Sequence, residues 1–423
     1  GIPYTSIVEY INTAKALAII SGILLSVAVA FTVGALVMFL TRVIFTFDFQ
    51  TRVKRYGALW GGLALASIVY FILIMGAKGA SFITPETLAW IKGHTWLILG
   101  MSFVLCAVLL QLMILFSRVN ILKVVVLVGT FSLAMAFAAN DLVNFIGVPL
   151  AGLSAYTIAQ GSGGMLDQTM EALQKPVQAN TFFLLIAGFV MVVTLWVSRK
   201  ARTVTKTELR LGRQEEGLER FEATALSQTI VRMVAYMFYA VRRIVPPGTR
   251  EWIAGRFERA QYRPAPDPDG TVPAFDLVRA SVTLMVASAL ISWATSMKLP
   301  LSTTYVTFMV AMGTSMSAQA WGRESAVFRV TGVLTVIGGW FFTAMMAFTV
   351  CSIFAAAISF GGAPAVIGIA CVAALLIFLN RRTHKSRETD EWDIEVFNLK
   401  KIHDSTAAIN LTFEHTGIFL REV

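Results

Sequence analysis

Charge is scarce in this chain. Only 14% of its 423 residues are Asp, Glu, Lys or Arg, where an average soluble domain carries about 25%. Cysteine is scarcer still. Cys106, Cys351 and Cys371 are the only three; all lie in apolar runs and none forms a CxxC pair. That excludes a disulfide framework, a zinc site and a redox motif by spacing, and the three read as small core hydrophobes. His94, His384, His403 and His415 show no metal-ligand spacing, and neither HExxH nor DDxxD occurs.

What is present is hydrophobic sequence, 56% of the chain, gathered into uncharged runs that exceed the roughly 18–20 residues needed to cross a bilayer. The expected fold class is all-α, a polytopic helical membrane protein. Barrel strands would alternate in segments of about 10 residues, which these runs do not do. Spans are expected at 16–41, 56–77, 95–117, 124 to about 160, 176–198, 280–297 and 299–322. The uncharged run 330–380 is long enough to fold back once, with SFGGAPA at 359–365 as the break. The total is about nine membrane passes, including broken or re-entrant helices.

Loop charge orients these spans. Arg42, Arg52, Lys54 and Arg55 oppose a single Asp48 in the first loop. The second, with Lys78, Glu86 and Lys92, is nearly neutral; the third, with Arg118 and Lys123, is basic; the fourth, with Asp167, Glu171 and Lys175, is slightly acidic. The alternation follows the positive-inside rule and sets the N-terminus outside and the tail in the cytoplasm. The net charge of +10 belongs to this pattern, and nucleic acid is not an expected partner. The organisation is therefore 1–198 membrane helices, a basic cytoplasmic loop at 199–279, membrane helices at 280–380 and a charged cytoplasmic tail at 381–423. Inside the loop, TKTELRLGRQEEGLERFEATAL reads as a solvated charged helix. SQTIVRMVAYMFYAVRRIVPPG, with Arg232, Arg242 and Arg243, reads as an interfacial amphipathic helix. Pro264, Pro266, Pro268 and Gly270 form a linker back to the membrane. Asn410 opens a sequon that has no meaning on the cytoplasmic side. Gly1 in place of Met, and an HTGIFLREV end, suggest a fragment cut at both ends.

Two stretches carry chemistry. In AMAFAANDLVNFIGVPLAG, 134–152, Asp141 is the only acidic residue within any expected span. A carboxylate at mid-bilayer costs roughly 2.5–3.5 kcal/mol on insertion scales and usually marks an ion or substrate pathway. Asn140 and Asn144 add amide oxygens, so the set suits an alkali cation such as Na⁺, or a proton. Gly147, Pro149 and Gly152 argue for a broken helix, since proline lacks an N–H and glycine loosens the backbone. Breaks of this kind line transporter sites. In ATSMKLPLSTTYVTFMVAMGTSM, 294–316, Pro300 and then Ser302, Thr303 and Thr304 precede an apolar run, the signature of a helix start. A helix N-terminus with hydroxyls attracts an anion. A cation on Asp141 beside an anion at 302–304 is the logic of a coupled symporter.

AANDLVNFIGVPLAG resembles the GANDVANAxGP signature of the PiT family of inorganic phosphate transporters, and LPLSTTYVTFMVAMG resembles that family's LP(V/I)STTH signature. The resemblance covers roughly 100–400. The family carries each motif twice, in inverted repeats; this chain carries each once, which implies one repeat of such a transporter with the N-terminal half missing. By resemblance, Asp141 takes the coupling ion, Na⁺ or H⁺, with Asn140 and Thr303 beside it. Asn140, Asn144, Ser302, Thr303 and Thr304 contact phosphate. No cofactor is implied, a homodimer is, and the location is the inner cell membrane. Ala139 stands where the motif has Gly, and Tyr305 where it has His, which removes a titratable group from the edge of the site.

Other readings use the same residues. Hydroxyls alone do not separate phosphate from sulfate. An intramembrane enzyme would need a second carboxylate to pair with Asp141. A purely structural subunit gives no reason for a lone buried Asp. Elsewhere, Asp276 and Arg279 read as an i,i+3 pair anchoring a helix. Gly313 and Ser317 make a small-xxx-small packing face, and Gly338-Gly339-Trp340 reads as close packing beside an aromatic.

Overall fold

The computed structural model describes residues 13–47, 50–70, 84–116, 120–161, 180–197, 224–257, 277–297, 299–318 and 325–399. Every regular element among them is helical. In chain order these are α1 (Thr13–Phe45), α2 (Gln50–Val69), α3 (Pro85–Gly93), α4 (Thr95–Phe116), α5 (Ile121–Gly161) and α6 (Thr181–Val197). They continue as α7 (Ala225–Ile244), α8 (Pro247–Arg256), α9 (Leu277–Ser296), α10 (Thr303–Ser317) and α11 (Ser325–Leu399). The charged segment at 205–223, the Pro264–Gly270 linker, Asp276, Lys298 and Asn410 lie outside the described residues.

Polar residues set where the apolar runs begin. Thr84 caps α3, its hydroxyl accepting from the Thr87 amide, with Pro85 in the first turn. Asn120 Oδ1 accepts from the Leu122 amide at 3.0 Å and Asn180 Oδ1 from the Phe182 amide at 2.9 Å, satisfying amides that a helix start leaves unpaired. The end of α1 is closed by cations. Thr46 turns the chain at φ 58, Arg42 Nη1 donates to the Thr46 carbonyl at 3.1 Å, and Arg52 Nη1 donates to the Ile44 carbonyl at 3.2 Å. The basic first loop thus does local work at a helix C-terminus, where carbonyls and dipole favour positive charge.

Five helical stretches among the described residues are long and apolar enough to cross a membrane: Thr13–Phe45, Thr95–Phe116, Ile121–Ala138, Leu277–Thr295 and Arg329–Leu376. The expected total of nine passes is not reached among these residues. The 15 residues of α10 span only about 22 Å, short of a roughly 30 Å hydrocarbon layer. The 41 residues of α5 reach about 60 Å, twice that thickness.

Two compact units divide the chain, Gly1–Ile337 and Gly338–Val423. In the first, α1 lies on α10, α2 on α4, and α9 on α5. Helices α1 and α10 run parallel, since Gly22 meets Pro300 near one end and Ala35 meets Ser317 toward the other. Their backbones touch where glycine is obligatory. A Cβ on Gly313 would overlap the Phe31 carbonyl, and one on Gly34 would lie 2.9 Å from the Val310 carbonyl. Ser317 Oγ donates across the seam to the Ala35 carbonyl at 2.7 Å. The small-xxx-small face of Gly313 and Ser317 therefore packs as its sequence implies. A second core joins α2, α4 and α5 through Ala58, Leu65, Ile68, Leu110, Ile121 and Val125.

The second unit corrects two expectations. Gly362 adopts φ 55, ψ −142 and interrupts α11, so the break expected at 359–365 exists. It is a kink rather than a hairpin: no residue from 342 to 376 is buried, whereas helices folded back on each other bury their facing side chains. Nor is Gly338-Gly339 closely packed, since a Cβ at either position meets nothing within 4 Å.

Candidate functional site

The second motif forms a helix start, as its residues require. Ser302 is extended at φ −105, ψ 121, and its hydroxyl accepts from the Tyr305 amide at 3.4 Å. The Val306 amide closes onto the Ser302 carbonyl at 3.0 Å. Just upstream, the Leu299 amide donates to the Ala294 carbonyl at 2.9 Å, so α9 ends where α10 is about to begin. Pro300 lodges against Gly22 of α1, where a Cβ would come within 2.8 Å of the proline ring. The positive end of α10 is thus held against α1, and all but four of the helix's 15 residues are buried.

The three consecutive hydroxyls do not share one environment. Thr303 is buried, Ser302 is half-buried and Thr304 is exposed. Successive residues point about 100° apart on a helix, so a site inside the bundle gathers Ser302 and Thr303 and leaves Thr304 outside. Tyr305, standing in the motif's His position, is buried.

The first motif lies on α5, and its backbone overturns the expected break. The helix is continuous from Ile121 to Gly161, straight through Pro149. Proline removes one ladder bond, and each glycine costs about 1 kcal/mol relative to alanine. Opening the ladder among apolar residues would instead strand several carbonyls and amides at several kcal/mol each. The side chains of residues 139–145, hence of Asn140, Asp141 and Asn144, lie outside the described ones. The register of the backbone is nonetheless fixed. Gly129 sits against Leu284 of α9. Position 140 comes within about 20° of Gly129 around the helix, position 144 within about 60°, and position 141 stands about 120° away. By register alone, the two asparagine positions fall near the Gly129 line of α5 and position 141 falls to one side of it. Helix α5 packs chiefly on α9 and only grazes α10.

Helices α5, α9 and α10 carry buried hydroxyls that motif reading missed. Thr283 Oγ1 and Thr314 Oγ1 share a hydrogen bond of 3.0 Å between α9 and α10. Ser281 and Ser288 on α9 and Ser132 on α5 are buried. Ser132 Oγ, Ser288 Oγ and Thr295 Oγ1 have no hydrogen-bond partner among the described residues. A signal was in the sequence: Ser281, Ser288 and Thr295 recur every seven residues, which keeps them on one helix face. The stripe climbs α9 toward the Pro300 turn. Bonds between such hydroxyls are worth about 0.6 kcal/mol in membranes. A double-mutant cycle on Thr283→Val and Thr314→Val should therefore give coupling below about 1 kcal/mol in thermal unfolding.

Helices of this length and apolarity, packed through glycine and hydroxyl contacts, define a helical membrane protein. No family model matches the chain, and comparison with curated proteins and with solved structures gives no match.

Proposed function

We propose that the chain is one repeat of a secondary transporter that imports inorganic phosphate by symport with Na⁺ or H⁺ through alternating access. The observation that carries this reading is the capped start of α10, a positive helix end with Ser302 and a buried Thr303, packed against the apolar helix α1. Such an end favours an anion. The resemblance of both motifs to the phosphate transporters supplies the substrate. In this reading Asp141 takes the coupling cation, Asn140 and Asn144 complete the site, and the other repeat supplies the facing half. The protein works in the inner cell membrane with its tail in the cytoplasm. Sulfate is the competing substrate, because it offers the same tetrahedral oxygens.

Equilibrium binding separates the two. Radiolabelled phosphate is expected to bind the purified full-length transporter and to be displaced by unlabelled phosphate at least tenfold more effectively than by sulfate. Equal displacement would make the site a general oxyanion site. The unequal burial of the hydroxyls adds a second expected result. Thr303→Val should weaken phosphate binding about tenfold, the scale of one lost charge-assisted hydrogen bond. Thr304→Val, on the exposed side, should leave the dissociation constant within about twofold.

A further inference from the structure

Helices α7 and α8 form a strap fixed at both ends. At its start, Thr331 Oγ1 of α11 donates to Ser227 Oγ at 2.8 Å, and Thr224 Oγ1 lies 3.4 Å from Thr331 Oγ1. At its end, Phe257 stacks on Phe39 of α1 with ring centroids 5.4 Å apart. Phe39 is one turn before Arg42 at the close of α1, and Thr331 is two residues after Arg329 near the opening of α11. The strap therefore runs between the charged ends of two apolar helices, the level at which a bilayer gives way to water.

Between its anchors the strap is amphipathic, and most of its described side chains are exposed. Leu226, Ile230, Met233 and Ile244 fall on one face of α7 by the 100° register. Leu226, Met233 and Ile244 are exposed, Ile244 at 83%. The opposite face carries Arg232, Tyr239 and Arg243, with the Arg243 guanidinium 5.3 Å from the Tyr239 ring. On α8, Arg256 lies 4.9 Å from the Trp252 ring. Over 224–257 the sequence holds five arginines against one acid, Glu251. An apolar face, aromatic rings and arginines at the membrane border match a layer of negative headgroups over acyl chains.

We propose that the α7–α8 strap is a binding surface for anionic phospholipids, the apolar face of α7 entering the acyl boundary while Arg232, Arg243 and Arg256 hold lipid phosphates. This is independent of what the protein transports. It makes the strap a lipid-charge-dependent brace between α1 and α11.

The test uses the full chain with its three native cysteines replaced, a spin label at Met233→Cys, and vesicles of defined composition. Immersion is read as the ratio of oxygen to nickel-complex accessibility. In vesicles with about one-third phosphatidylglycerol the label is expected below the headgroups. In pure phosphatidylcholine, or with Arg232, Arg243 and Arg256 all changed to Gln, immersion should weaken by about fivefold per lost contact. The corresponding Arg→Lys variant should retain it, and millimolar free phosphate should not displace it. Immersion independent of lipid charge, a water-exposed label in every vesicle, or release by free phosphate would each overturn the proposal. If the Gln variant does not fold, the lipid series on the parent decides alone.

Discussion

Asp141→Asn is expected to reduce gradient-driven phosphate uptake at least about a hundredfold while the protein inserts at least as well as the parent. The substitution keeps the side chain's shape and removes only its charge. An intramembrane carboxylate carries roughly 2.5–3.5 kcal/mol of insertion cost, and that cost disappears with the charge. If the charge holds the coupling ion, losing an interaction of the same size is a loss of about two powers of ten. Uptake and thermal stability of the two proteins, measured in the same vesicles, separate the roles. A carboxylate that only packs would leave uptake near the parent's level, because Asn retains the hydrogen-bonding oxygen. The position of Asp141 lies about 120° around α5 from Gly129 by helical register.

Gly313→Val is expected to destabilise the bundle by about 3 kcal/mol or more, seen as a lowered Tm and loss of folded protein in detergent. The new Cβ would overlap the Phe31 carbonyl and lie 2.9 Å from the Ala35 amide nitrogen. Both are backbone atoms of α1, so no rotamer change relieves the clash and the helices must separate. Overpacking usually costs about 1–3 kcal/mol, with larger values where nothing can give. Separation would also break the bond from Ser317 to the Ala35 carbonyl. Gly338→Ala is the control. Nothing lies within 4 Å of its Cβ, so only the helix preference for alanine remains, a gain of up to about 1 kcal/mol. Equal effects at the two positions would contradict the parallel α1–α10 seam.

Helix positions were legible because long uncharged runs and the hydroxyls at 302–304 speak locally, whereas the caps at Thr84 and Asn120 emerged only from the structure. The expected helix start at 302–304 matches the observed one, where Ser302 caps α10. What sequence could not supply was the partner of each helix. Gly313 announced a packing face but not that α1 would fill it, and Gly338 made the same announcement with nothing to meet. Pro149 and its flanking glycines suggested a break that the backbone does not adopt, because the cost of opening a helix depends on its apolar surroundings. Gly362 did break its helix, without producing the expected hairpin. The hydroxyl run at 302–304 looked like one cluster in one dimension and divides into buried and exposed members once wound on a helix. The Ser281–Ser288–Thr295 stripe was visible as a heptad spacing, yet only burial gives it meaning.

Coupled phosphate transport is tested by radiolabelled phosphate uptake into proteoliposomes holding both repeats, under an imposed Na⁺ gradient and, separately, a proton gradient. Accumulation above equilibrium under one of the two gradients, abolished by collapsing it, is the predicted result and names the coupling ion. A folded, correctly inserted protein that accumulates no phosphate under either gradient would contradict the account.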